Sequence, residues 1–203
     1  MLLDASDSQL VLVDYQERLM PAIHEGAQLL ANARRLAQVA HLLQVPVWGT
    51  EQNPSRLGAN DGALRALCAK TLAKMHFSAV QEGLGELLRP PAPTPAAPRG
   101  NARSLPKHLQ KPAPAQDERA AIVIAGCEAH VCLLQTALEL IEDEFEVWVV
   151  TDACGSRTER SRDAAFDRLA GAGAELVTTE MVAFEWLRSC EHPAFKDMLA
   201  LVK

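Results

Sequence analysis

The sequence predicts an α/β protein, a three-layer α/β/α arrangement around a mostly parallel, Rossmann-like sheet of about six strands. Two observations carry that prediction. Short apolar runs rich in β-branched residues, of the kind buried on both faces of a parallel sheet, alternate with longer segments whose apolar residues recur at helical spacing. Residues 120–153 then contain one complete βαβ unit, whose crossover brings the end of a strand and the start of a helix to one edge of the sheet. With 203 residues and 48% hydrophobic content the chain can bury one substantial core, and a single domain over 1–203 is expected.

In chain order, residues 9–14 (Gln9, Leu10, Val11, Leu12, Val13, Asp14) predict a first strand that closes on a carboxylate, followed by Tyr15 and Gln16. An aspartate there points into the crevice where such sheets bind ligands; the alternative is a turn former. Leu29, Leu30, Ala33, Leu36, Ala37, Ala40 and Leu43 mark a helix over 26–43, and 46–50 is a short second strand. The polar stretch TEQNPSRLG reads as a loop, 61–69 as a short helix, and KTLAKMHFS as the segment that carries Lys74 to a helix over 79–88. Residues 89–117 are dense in proline and alanine and cannot build a packed core, so they read as an exposed insertion within the domain.

After the insertion, 121–125 is a fully apolar strand and Gly126 turns the chain. From Val131 onward Leu134, Ala137, Leu138 and Ile141 oppose Gln135, Glu139, Glu142 and Asp143, which predicts a helix, and 147–150 is the next strand. A loop over 151–157, a helix over 158–171 and a strand over 174–178 follow. Thr178 or Thr179 then caps a helix containing 181–187, and a short helix closes the chain. The segment GAGAEL precedes a strand and lacks a third glycine, so it is no dinucleotide fingerprint.

A net charge of -6 argues against nucleic acid or an anionic membrane as partner. The acidic opening residues do not read as a signal peptide, and no run is long enough to cross a bilayer. Five cysteines at irregular spacing fit reduced thiols, and a cytoplasmic protein is expected.

Three reactive groups fall at strand-to-helix edges: Asp14, Lys74 and Cys132. A thiol at a helix start feels unpaired N–H groups and the positive end of the helix dipole, both of which favour the thiolate. A carboxylate can take a thiol proton, and an ammonium can orient that carboxylate. Spacing alone leaves open whether the three meet, and a cysteine in this position is as readily a small buried hydrophobe.

The runs GCEAHVCLLQTALEL and VTDACGSR, with VLVDYQ and KMHFSAV upstream, resemble the signature of the isochorismatase-like cysteine hydrolases. The resemblance covers nearly the whole chain outside the insertion, and TEQ with GCEAHVC is closer to the metal-free, isochorismatase-domain-containing subgroup. It implies Cys132 as nucleophile, Asp14 as general acid and base, and Lys74 as the orienting, charge-stabilising cation. It further implies a non-proline cis peptide joining Cys127 to Glu128, with the N–H groups of Glu128 and Cys132 directed at one oxyanion. Nicotinamidases in this superfamily bind a metal through histidines after the second strand. Here Thr50 to Asn53 are TEQN, so neither a catalytic metal nor a cofactor is expected. The candidate substrate contacts are His130, Gln16 and Glu51.

The activity so implied is cleavage of a C–N bond in a small amide-like molecule through a thioester on Cys132, by a homo-oligomer. The alternatives are a non-catalytic oligomeric scaffold that keeps the fold and a redox-sensing thiol protein.

Overall fold

Six parallel strands form one sheet in the order β3-β2-β1-β4-β5-β6 in the computed structural model, which describes residues 2–89 and 119–202. Beyond Arg89, the proline- and alanine-rich insertion lies outside the described residues up to residue 118. The strands are β1 (Ser8–Val13), β2 (Val47–Gln52), β3 (Lys70–Lys74), β4 (Ala121–Gly126), β5 (Glu146–Val150) and β6 (Glu175–Val177). The central pair, β1 and β4, is buried at every residue, as continuous apolar runs require. Ile122, Val123 and Ile124 are wholly shielded, and burial of each such side chain contributes about 1.5–3 kcal/mol.

The helices are α1 (Gly26–Leu42), α2 (Pro54–Leu57), α3 (Gly62–Leu67), α4 (Leu84–Leu88), α5 (Leu134–Glu142), α6 (Glu159–Gly171), α7 (Thr179–Leu187) and α8 (Phe195–Val202). On one face α1 packs against α3, α7 and α8; on the other, α5 packs against α6. Leu29, Ala33, Leu36, Ala37 and Ala40 are the buried stripe of α1, as their spacing predicts. Thr178 is the cap of α7, its hydroxyl accepting from Met181 N.

Several elements differ from the sequence reading; β1 ends at Val13 with Asp14 just past it, and the segment read as a loop after β2 holds the short α2. β2 continues two residues past Thr50, so Glu51 and Gln52 are strand residues rather than loop. Residues 70–74 form a full edge strand, β3, with mixed exposure instead of an apolar run. The helix expected over 79–88 is a 3-10 turn at Val80–Glu82 followed by the short α4. The helix after β4 opens with a wide π turn, Ala129–Leu133, before regular α5 begins.

The strand order reverses between β1 and β4, which places the crevice of this sheet beyond their carboxyl ends. Val13 is level with both Thr50 and Gly126 there. Gly126 has φ 151, and a side chain on it would collide with the Val13 carbonyl, so glycine allows the two central strands to end this closely.

Candidate active site

Asp14 is the first residue past β1 and turns the chain with φ 54, a left-handed conformation that aspartate and asparagine tolerate better than most residues. Its carboxylate is fully buried. Oδ1 accepts from the Thr50 hydroxyl at 2.7 Å, and Oδ2 lies 2.8 Å from Lys74 Nζ. Among the described residues Oδ2 accepts no directed hydrogen bond, which leaves a lone pair free to take a proton.

Lys74 comes from β3, two strands away from β1, a backbone separation of about 10 Å. Its side chain spans the end of β2 to reach Asp14. Its ammonium also donates to Gln52 Oε1 at 2.7 Å and to the Phe77 carbonyl at 2.9 Å. A lysine buried among one carboxylate and two neutral acceptors is a paired cation, the arrangement in which a buried charge is tolerated.

Cys132 occupies the π turn after β4 and is only 6% exposed. Its Sγ lies 3.9 Å from Gln52 Oε1, and the charges of the Asp14 carboxylate and the Lys74 ammonium both act on it. The thiol is pushed up to about 12, first by burial and then by the Asp14 charge, with Lys74 partly offsetting. Burial and the neighbouring anion thus oppose the pull of the helix start toward the thiolate. The group that can remove its proton is the carboxylate beside it.

The turn that carries Cys132 is pinned from several sides. The Cys127–Glu128 peptide is cis. Ala129 N donates to the Gly155 carbonyl at 2.7 Å, Gly155 N to Gly126 O at 3.2 Å, and Val131 N to Glu128 O at 3.0 Å. The Glu128 carboxylate accepts from Arg157 Nε at 2.8 Å, and Tyr15 anchors the same region by donating to Ala153 O at 2.6 Å. VLVDYQ, GCEAHVC and VTDACGSR thus form one connected structure.

The three expected substrate contacts are placed differently from one another. His130 is half-buried, with Nδ1 2.9 Å from Ser156 Oγ. Gln16 is fully buried and committed to backbone: Nε2 donates to Gln52 O and Gly58 O, and Oε1 accepts from Gln52 N. Glu51 lies on the opposite side of β2 from Thr50 and Gln52 and accepts from Asn60 N at 2.9 Å. Gln16 and Glu51 brace the segment after β2. Two residues the sequence reading did not single out, Thr50 and Gln52, touch the reactive groups directly. Their alternate positions on one strand, level with the end of β1, are the signal that would have found them. Among the described residues, no group of three or more His, Cys, Asp or Glu is placed to hold a metal.

An all-parallel sheet with helices on both sides, bearing a thiol beside a buried carboxylate–lysine pair at its switch point, defines a doubly wound α/β protein with a built reactive centre. Comparison with known proteins gives the family. Residues 8–181 match the isochorismatase domain model, and the chain belongs to the isochorismatase family. It is 33% identical over 196 residues to isochorismatase domain-containing protein 2A of Mus musculus, covering 97% of this chain and 82% of that protein. It is 30% identical to isochorismatase domain-containing protein 2 of Danio rerio, covering 98% and 89%. Among solved structures it resembles the MAR1 ribonuclease of Caenorhabditis elegans, with TM-score 0.82, 27% identity and coverage of 100% and 92%. In fold it also resembles the YcaC gene product of Escherichia coli, described as an octameric hydrolase of unknown specificity, with TM-score 0.76, 24% identity and coverage of 98% and 95%. Among the described residues no helix is long and apolar enough to cross a membrane.

Proposed function

We propose that this isochorismatase-like protein is a cysteine hydrolase that cleaves the C–N bond of a small amide-like molecule through a thioester on Cys132. The observation that carries the reading is the buried Asp14–Lys74 pair, 2.8 Å apart, whose lysine donates to the same Gln52 oxygen that lies 3.9 Å from the Cys132 sulfur, with burial and the Asp14 charge pushing that thiol up. Such a thiol needs a base in the step itself, and Asp14 is within reach.

In the first half the Cys132 sulfur bonds to the carbonyl carbon while its proton passes to Asp14, and the carbonyl oxygen becomes an oxyanion held by the N–H groups of Glu128 and Cys132. Collapse breaks the C–N bond, Asp14 protonates the leaving nitrogen, and an amine or ammonia departs. In the second half Asp14 takes a proton from water as its oxygen attacks the thioester; the C–S bond breaks and the proton returns to sulfur. The net change is addition of water, giving an acid and an amine. Lys74 holds the carboxylate in place and balances its charge throughout. His130 is assigned to the substrate side, and Gln16 and Glu51 to shaping the segment that borders it.

The remaining parts of the reading concern context. A homo-oligomer is proposed from the octameric E. coli neighbour and from exposed Met181 and Phe184 on this chain. A cytoplasmic location fits cysteines that are all unpaired. The ribonuclease name of the nematode neighbour is not carried over, because a net charge of -6 suits a small molecule better than a polyanion.

Intact-mass spectrometry after incubation with a panel of small amides tests the proposal. The wild type is expected to carry a substrate-derived acyl mass that Cys132→Ala lacks. Amide turnover by Cys132→Ala at the wild-type rate would remove the thioester from the reaction and leave a non-covalent hydrolase.

A further inference from the structure

Glu82 makes a set of contacts that the hydrolytic reading does not use. Its Oε1 accepts from Met75 N at 3.0 Å and His76 N at 3.2 Å, and lies 2.9 Å from His76 Nδ1. These bonds close the turn over 75–77, immediately after β3. The turn's carbonyls face inward onto the reactive centre: Phe77 O accepts from Lys74 Nζ at 2.9 Å, and Met75 O accepts from Gln52 Nε2 at 2.9 Å. Its side chains face outward, with Met75 66% and Phe77 52% exposed. No burial of its own side chains therefore holds this turn in place.

At its far end the segment is tied to α5, where Thr136 Oγ1 accepts from Ala79 N at 3.1 Å and Glu139 accepts from the Ser78 hydroxyl at 2.7 Å. Thr136 is one helical step from Cys132. The near end depends on Glu82. Apart from it, the turn's polar contacts there run to Lys74 and Gln52, the groups it would have to position.

We infer that Glu82 is a positioning residue: its carboxylate fixes the turn over 75–77, and the turn sets the Lys74 ammonium and the Gln52 amide against Asp14 and Cys132. Hydrogen bonds from Met75 N, the His76 ring and His76 N hold the carboxylate down to about 2, so it is ionised at neutral pH and the clamp is charge-assisted. The inference rests on the nucleophile reading of Cys132, and its test separates the two.

The test follows acrylamide addition to the full-length protein by peptide mass mapping. The sulfur bonds to the terminal vinyl carbon, the thiol proton ends on the α carbon, and nothing leaves. Cys190, which is exposed, supplies an internal reference thiol. Glu82→Ala is expected to slow labelling of Cys132 about tenfold relative to Cys190, because a reactive group displaced from its partners loses rate steeply. Glu82→Gln keeps an acceptor oxygen for the two N–H groups and is expected to restore most of the rate. A general loss of folding would slow or speed both thiols and would not be reversed by glutamine. Equal Cys132 labelling in wild type and Glu82→Ala overturns the positioning role alone. An unlabelled wild-type Cys132 overturns the nucleophile reading and this inference with it.

Discussion

Lys74 Nζ lies 2.8 Å from Asp14 Oδ2, with both side chains completely shielded from solvent, so each charge depends on the other. Replacing Asp14 by Asn keeps the left-handed backbone comfortable at φ 54 and leaves the ammonium without its counterion. Breaking a buried pair in this way costs about 3–5 kcal/mol. Urea unfolding of Asp14→Asn should show a loss of that size, and Asp14→Asn combined with Lys74→Met should be less destabilised than the two single losses summed. Strict additivity would mean that the two charges do not depend on one another.

The same Asp14→Asn substitution should separate thiol reactivity from catalysis. The Asp14 charge is one of the causes that push the Cys132 thiol up to about 12, so its removal makes the thiolate easier to form. Simple alkylation by iodoacetamide should therefore begin at lower pH in the variant than in wild type. Amide turnover should fall by about 10²–10⁴-fold, because the proton acceptor and donor is gone. Both rates falling together would instead point to a collapsed site.

The parts of the fold legible in sequence were those where burial is two-sided. β1, β4 and β5 show as continuous apolar runs because both of their faces are covered. β3 does not, because an edge strand of KTLAK with mixed exposure lacks such a run. The end of β2 was read as loop for a related reason: its last residues, Glu51 and Gln52, carry polar side chains that serve the site region and not the core. The π turn at Ala129–Leu133 leaves no mark on a helical apolar pattern. Asp14 and Cys132 were legible as residues at strand ends beside the switch point. Lys74 was legible as a lysine at a strand-to-helix edge, but its reach across two strands to Asp14 was not, because such a reach has no local signature. The pull of the helix start on the thiol is visible in sequence, whereas its burial beside a carboxylate is tertiary.

Gln52 should prove sensitive as well, though less so than Asp14. Its Oε1 accepts from Lys74 and lies 3.9 Å from the Cys132 sulfur, while its Nε2 holds Met75 O. Gln52→Leu has similar bulk but removes an acceptor from a buried ammonium, an interaction worth about 1.5–3 kcal/mol. Acyl-enzyme formation is expected to slow by about 10–100-fold, with a smaller loss of unfolding free energy than Asp14→Asn causes. An unchanged rate of acylation would show that the Asp14–Lys74 pair needs no help from Gln52.

Thr136 provides a purely structural test of how the two halves of the site are held in register. Its hydroxyl is fully buried and accepts from Ala79 N, linking α5 to the segment that follows Lys74. Thr136→Val has nearly the same shape and strands that N–H without an acceptor, at a cost of about 1–3 kcal/mol. The loss should be readable as a lower urea midpoint with an unchanged slope, since no surface is newly exposed in the folded state.

Alkaline pH should destabilise the fold through its buried thiols. Burial pushes Cys132 and Cys154 up from 9.0 to about 12, and Cys127 well above its ordinary value. The unfolded chain releases these protons near pH 9, while the folded protein holds them to about 12. Below pH 9 both states are protonated and the thiols add no pH dependence. Between the two values the folded state binds more protons, so unfolding becomes easier as pH rises, by up to about 1.4 kcal/mol per pH unit for each such thiol. Cys132→Ala removes one of them. Its unfolding free energy should therefore fall less steeply than that of the wild type above pH 9, whatever constant offset the lost side chain brings. Parallel slopes for the two proteins would mean that the Cys132 thiol titrates alike folded and unfolded, and that neither burial nor the Asp14 charge raises it.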